Sequence, residues 1–397
     1  MTLGVLASGF VPLAHAEQGR RVATGYIRTN WSRDPYSLGS YSYVAKGAQR
    51  RHHAVLGEPF RDRLFFAGEA THPNYNSSVH AAYESGIIAA EAVFETDANT
   101  VGIVGAGASG LTAATALVGE GYDVTVLEAR DRIGGRIWTD NSLGTPFDLG
   151  ASWIHGADGN PLTDLAGSLG LEMKATSKNY IVRGGDGRRI DDADVPEWLE
   201  NVVSVQHTAG ADMNEINSLA YWRDSDYGGD EVILPGGYDQ LLNAVPDNID
   251  IRLGHVVTNV VVEENSVQLQ DQTGQHHSFD AMILTTSLGV LKNGAIAFSP
   301  PLPREKVDAI VKLGMGTLDK VYLRYDEVFW DADVTWIATP ENGLPQGQFN
   351  QWFNLVPYTG QPVIMALNGA QPALDLSELP DAEIVKRAQQ TLELAYP

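Results

Sequence analysis

Apolar positions along this chain fall mostly into short runs of strand length, broken by a few longer stretches with helical spacing. Residues 101–104 form an apolar strand, an Ala/Leu-rich helix follows, and residues 123–127 form a second strand that closes on Glu128. This is the outline of a βαβ unit. Upstream, residues 22–31 alternate as a strand and residues 33–39 form a turn-rich loop. Residues 39–44 are extended, so Tyr41 and Tyr43, two apart, share one face. After a polar linker, residues 63–67 form a strand ending in Gly68-Glu69, and a helix runs over Val79–Phe94 with Ser77 and Ser78 available to cap it. Downstream, residues 160–170 read as a helix that stops at glycine, and residues 172–229 as polar and irregular with helical pieces. Pro235-Gly236-Gly237 precedes a further helix. Residues 256–262 and 267–270 pair as a hairpin, residues 281–285 form a buried strand, and Arg304–Lys312 a helix. Residues 318–325 form a strand with Lys320 on the face of Leu318 and Tyr322. Residues 362–368 add a strand, and Asp381–Ala395 is the last helix. The fold class that results is α/β.

The glycines between the first strand and its helix give the βαβ unit a chemistry. Gly105, Gly107 and Gly110 stand in G-x-G-x-x-G spacing. The first makes the tight turn, the second lets the backbone approach a pyrophosphate, and the third lets helix pack on strand. The helix N-terminus offers unpaired N–H groups and partial positive charge to the phosphates. Glu128, about 20 residues on, suits a ribose 2′-hydroxyl and disfavours a 2′-phosphate. A glycine-rich turn without a nucleotide shares the glycines alone, but not the strand, the helix and the acid around them. Gly134-Gly135-Arg136 follows closely.

With 397 residues, 43% of them apolar, the chain can bury a sizeable core and is expected to form two domains. Fifty acidic against 27 basic residues leave a formal charge of −23. That balance disfavours nucleic acid and anionic membranes as partners and draws in a cationic substrate, although it also serves solubility alone. There is no cysteine, which excludes disulfides, thiolate ligands and a cysteine nucleophile. No apolar run is long enough to span a bilayer. Residues 1–16 could form a signal-peptide core ending in Ala14-His15-Ala16, without the positively charged start such peptides carry. The expected location is cytoplasmic, or exported if residues 1–16 act as a signal.

The strings GAGASG, LEARDRIGGR, LGASWIHG, PGGYDQLL, TTSLGVLK, GMGTLDKVYLRYDEVFW, GSYSYVAKGA and LFFAGEATHPNYNSSVHAAYESG together resemble the flavin-containing amine oxidases, nearest to the polyamine oxidases and the catalytic domain of lysine-specific histone demethylases. The resemblance covers nearly everything from Val22 to Pro397. It implies a two-domain fold: an FAD-binding Rossmann-like domain plus a mixed-sheet and helical substrate domain. On that basis residues 1–21 are a leader, 22–59 substrate-domain strands, and 60–160 the FAD-binding core. Residues 161–230 are a shortened helical substrate region, 231–312 the second part of the FAD-binding domain, and 313–397 the rest of the substrate domain. The order of the strings departs from the family, in which GSYSY and FFAGE close the chain; here they precede the glycine-rich loop. A circular permutation joined through residues 95–99 accounts for this, and so does a fragment of a tandem pair that needs a partner to complete its site.

The resemblance also implies site roles. Gly68 and Glu69 would lie near the ribityl and pyrophosphate, and Arg130, Gly135, Arg136 and the backbone of Val257 would make further cofactor contacts. Ser78 and Val79, at the start of the Val79–Phe94 helix, would face the flavin edge where negative charge develops. Lys320 falls on the lysine that holds a water against flavin N5, although an isolated strand lysine is ordinarily solvated. Tyr41 falls on an aromatic that flanks the substrate amine, with Ser78 at the second cage position, and His155 on a histidine facing that amine or a core histidine. Ser40 stands where covalent relatives have cysteine, so the FAD is expected to be dissociable. The activity implied is oxidation of an amine C–N bond to an imine that hydrolyses to an aldehyde, with dioxygen reduced to hydrogen peroxide. Polyamine oxidation ranks first, with other amine or L-amino-acid oxidation behind it. A flavin-fold protein that binds FAD without turnover is the reading from outside enzymology. The oligomeric state is left open.

Overall fold

The Thr100–Val104 strand lies at the centre of a five-stranded parallel sheet, with Asp123–Glu128 on one side and Ala281–Leu284 on the other. Asp250–Leu253 and Leu64–Phe66 form its edges. The computed structural model of the chain describes residues 21–221 and 227–397 and the backbone of Ala7–Gly9. The leader-like reading of residues 1–16 otherwise falls outside the described residues.

A parallel sheet has to be covered on both faces. Val101, Ile103, Val124 and Ile283 pack under the helices Val79–Phe94 and Ala108–Gly119. Met282 and Leu284 pack instead against a second, four-stranded sheet built on the hairpin Val257–Val262 and Val267–Asp271. The two helices approach so closely that a Cβ on Gly86 would stand 2.3 Å from the Ser109 carbonyl oxygen.

The second large sheet has seven strands and carries Lys320. Leu318–Arg324 pairs antiparallel with Gly25–Arg28 on one side and with Val363–Gly369 on the other. The sheet continues through Gln351–Asn354 and Trp336–Ala338 to Tyr180–Val182. Val321 and Leu323 face the amphipathic helix Asp381–Ala395. Tyr322 faces the opposite way, against Phe147 and Leu149, and period-2 alternation places Lys320 on that same side, where its ammonium reaches the backbone of 148–150. Tyr41–Tyr43 pairs with Gly314–Gly316, and both tyrosines turn toward residues 205–216 as their spacing requires.

Several elements differ from the sequence reading. The expected polar linker contains a helix, Arg51–Gly57, which buries His52, His53 and Leu56. It starts without a side-chain cap, so the usual N-terminal signal is missing. The helix expected after Gly237 is the 3₁₀ helix Tyr238–Ala244. The strand expected over 22–31 is restricted to Gly25–Arg28, followed by a 3₁₀ turn at Trp31–Arg33. The stretch 172–229 contributes two sheet strands, Lys174–Ala175 and Tyr180–Val182, besides short helices. Among the described residues no helix is long and apolar enough to cross a membrane.

Candidate active site

Gly105 turns the chain at the carboxyl end of the central strand with φ +106°, a backbone that favours glycine. Gly110 sits where a Cβ would lie 2.0 Å from the Gly105 carbonyl, which seals helix against turn and keeps Gly110 out of the cavity in front of it. Gly107 differs, since a Cβ there would meet nothing within 4 Å. It opens into a cavity of about 460 Å³ that Gly105, Glu128, Gly135 and Arg136 also line. The helix Ala108–Gly119 begins there with no side-chain cap, so its first N–H groups are free to meet a phosphate. Glu128 is buried and accepts from the backbone N–H groups of Ala106 at 2.7 Å and Arg130 at 2.8 Å. Both bonds fix its carboxylate on the cavity wall.

The edge strand and the second helix close the cavity from the other side. Gly68, Glu69, Ser78 and Val79 all line it. Ser78 caps Val79–Phe94 by accepting from the Ala81 N–H at 3.1 Å. Glu69, 4% exposed, accepts from Arg136 at 2.8 Å, from the Ser42 hydroxyl at 2.6 Å and from the Ser77 N–H at 2.9 Å. Burial favours its neutral form, but the Arg136 charge and the hydrogen bonds from Ser42 and Arg136 outweigh it, and its pKa falls below the usual carboxylate range. Arg130 reaches the cavity wall with its guanidinium clamped by Asp34 at 2.8 and 2.6 Å. The Asp34 clamp was not legible in the sequence, because 96 residues separate the partners. Val257 completes the wall from the hairpin.

Lys320 enters the same cavity with 4% exposure. Its ammonium donates to the carbonyls of Asp148 at 2.8 Å and Gly150 at 2.6 Å and to the Ser152 hydroxyl. Burial lowers its pKa to about 8, against the opposing pull of Asp148. Asp148 is itself pushed up to about 6 by burial. Asp148 and Trp153 are components that sequence reasoning passed over. Trp153 had a signal, since it stands two residues before His155 in an extended segment and so shares its side.

A second cavity of about 790 Å³ adjoins the first, and Tyr41, Ser77, Trp153, His155 and Leu318 line both. Tyr41 is held by a hydrogen bond from its hydroxyl to the His207 carbonyl. His155 is more than half exposed, and its Nδ1 donates to Glu231 at 2.5 Å. Gly105, Glu69 and Lys320, drawn from far-apart parts of one chain, thus wall a single cavity, with Tyr41 and His155 at its mouth to the second.

The profile of the family described as flavin containing amine oxidoreductase matches residues 11–94, 108–219 and 214–397. The chain belongs to this family. It is similar to polyamine oxidase 2 of Arabidopsis thaliana, 31% identical over 363 residues that cover 76% of this chain and 74% of the relative. It is also similar to lysine-specific histone demethylase 1 homolog 3 of Oryza sativa subsp. indica, 31% identical over 75% of this chain but only 44% of that protein. A putrescine oxidase variant with redesigned cofactor binding shares the fold, with a TM-score of 0.58 at 20% identity over 74% of this chain and 82% of that one.

As a flavin amine oxidoreductase the chain uses FAD, and the site fits that group. The uncapped helix start and the open face of Gly107 accommodate a pyrophosphate, and Glu128 accommodates a ribose. FAD supplies the capacity to accept a hydride equivalent from carbon. The protein's own groups position and exclude. The Val79 helix end presents partial positive charge, Lys320 lies on the cavity wall, and Tyr41 and Trp153 line both cavities.

Proposed function

We propose that this flavin amine oxidoreductase oxidises a linear amine with more than one ammonium group, of the di- or polyamine class, and passes the electrons to dioxygen. The observation that carries this reading is the second cavity, where four carboxylates, Asp192, Glu197, Glu200 and Glu231, and one lysine, Lys178, line a space that among the described residues shares Tyr41, Ser77, Trp153, His155 and Leu318 with the cofactor cavity. Carboxylates along a partly enclosed cleft attract a cation more strongly than the same charges in open water. An amine with one nitrogen at Tyr41 and another among the acids would satisfy both regions.

The reaction balances as R–CH₂–NH–R′ + O₂ + H₂O → R–CHO + R′–NH₂ + H₂O₂. The reacting nitrogen must arrive neutral to release a hydride from the adjacent carbon, so a proton must leave it. With Nδ1 engaged by Glu231, the His155 ring has Nε2 left to meet the amine at the cavity wall. The Tyr41 ring flanks the amine, and its hydrogen bond to His207 fixes it there.

Single-chain assembly of the cavity supports a complete site in one chain over a half-copy needing a partner. The test is anaerobic titration with spermine, spermidine and putrescine, with FAD counted per chain. Bleaching by at least one, one FAD per chain, and peroxide on admitting air are expected. A yellow protein that no amine bleaches would make it a binding module, and FAD only in a mixed assembly would favour the half-copy.

A further inference from the structure

We propose that His255, Asp271 and His277 form a binding site for one divalent transition-metal ion of the zinc type, at the edge of the cofactor cavity, which His255 lines and Asp271 and His277 do not. The three come together at the end of the β-hairpin that covers the parallel sheet. His255 precedes the strand Val257–Val262, Asp271 ends the strand Val267–Asp271, and His277 lies in the next strand, opposite Leu269. The potential ligand atoms of all three lie within 4.8 Å of one another.

The Asp271 carboxylate is aimed. Its Oδ1 accepts from the Thr273 N–H at 2.9 Å, the Thr273 hydroxyl at 2.6 Å and the Gln275 N–H at 3.1 Å. These bonds keep it ionised and turn Oδ2 toward the imidazoles. His255 Nδ1 donates to Oδ2 at 2.8 Å. His277 Nε2 stands 3.9 Å from the same oxygen, too far for a hydrogen bond. That nitrogen is buried, and it is among the few buried side-chain atoms of the described residues that have no hydrogen-bond partner. The His277 side chain is only 5% exposed, so water does not readily compensate it. A cation between Oδ2 and the two ring nitrogens would satisfy all three.

The donor set selects the ion. Two imidazoles and one carboxylate suit zinc and its neighbours, whereas calcium and magnesium prefer oxygen alone. A tetrahedral ion with bonds of about 2.0–2.1 Å holds its ligands roughly 3.3 Å apart. Binding therefore needs His277 to swing toward Asp271, and His255 to give up its Nδ1 proton and move back slightly. The His255 side chain is 24% exposed, which leaves a solvent-facing position for a water as fourth ligand. The ion would also tie down the chain entering the strand Val257–Val262, where His255, Val256 and Val257 line the cofactor cavity.

The test uses tag-free holoprotein stripped with chelator, then equilibrium dialysis against Zn²⁺ with metal analysis, and Co²⁺ difference spectra beyond the flavin bands. One Zn²⁺ per chain at micromolar concentration is expected, with d–d bands of tetrahedral intensity for Co²⁺ and a rise in melting temperature on adding Zn²⁺. H277Q and H255Q, made separately in case one fails to fold, should each weaken Zn²⁺ binding at least about tenfold and abolish the melting shift. Failure of the wild-type chain to bind one equivalent, or unchanged affinity in a folded H277Q, would overturn the proposal.

Discussion

Glu69 and Arg136 meet at 2.8 Å, although they arrive from an edge strand and from the loop behind the glycine turn, 67 residues apart. The pair fastens the two sides of the cofactor cavity to each other. Ser42 and Ser77 are fastened to the same carboxylate, so the loop before the Val79 helix and the Tyr41 strand share one anchor.

E69Q should lower unfolding stability by about 2 kcal/mol and reduce the FAD content of the purified protein. The loss is smaller than for a fully buried pair because the Arg136 side chain is one-quarter exposed. Glu69 has a lowered folded-state pKa, so its contribution is complete above the ordinary carboxylate range and disappears as pH falls through the lowered value. Urea melts of wild type and E69Q should therefore differ fully above the ordinary glutamate range and converge only as the pH falls below it, through the lowered value.

The glycines of the turn should separate fold from cofactor. G110A drives a Cβ against the Gly105 carbonyl and should destabilise the protein by about 2 kcal/mol or more. G107A meets no protein atom and should leave the apoprotein melting temperature nearly unchanged while weakening FAD binding at least about tenfold. Fluorescence titration of apoprotein with FAD, beside thermal melts without it, checks both. Equal melting losses in the two variants would refute the distinction.

Lys320 should leave a signature in stability against pH. Its folded pKa of about 8 lies below the ordinary lysine value, so the unfolded chain binds more protons between those limits and stability rises with pH there. K320M lacks that term. The wild-type stability minus that of K320M should increase by up to about 1.4 kcal/mol per pH unit from about pH 8 to about pH 10. A flat difference would mean that Lys320 is as solvated as a surface lysine.

If the second cavity takes the amine as proposed, the double variant E197Q E200Q should raise KM for spermine about tenfold with little change in kcat, since both residues line that cavity away from the cofactor wall. The effect should shrink at high salt. A fall in kcat at unchanged KM would place these acids elsewhere in the cycle.

What the sequence revealed follows from where the information lay. Val79–Phe94, Arg304–Lys312 and Asp381–Ala395 were legible because local spacing defines them, and they occur with those bounds. Arg51–Gly57 was not, because it has no cap and its His53 is fixed by a hydrogen bond to the Ala70 carbonyl, a tertiary contact. At the site, Gly105, Glu128 and Lys320 carried signals of spacing or string. The Asp34 clamp on Arg130 and the carbonyls beneath Lys320 depend on chain crossings of 96 and 170 or more residues, which no local pattern records.

Among the described residues, the edge strand Leu64–Phe66 hydrogen-bonds within its sheet to Ala281–Leu284 alone. During synthesis on the ribosome it therefore emerges some two hundred residues before its neighbour, with apolar Leu64 and Phe66 still lacking the hairpin residues they pack against. The nascent chain must keep this segment from sticking to other chains until the middle of the polypeptide arrives. Yield of active protein should thus respond to translation speed and to chaperone supply more than the stability of the finished molecule would indicate.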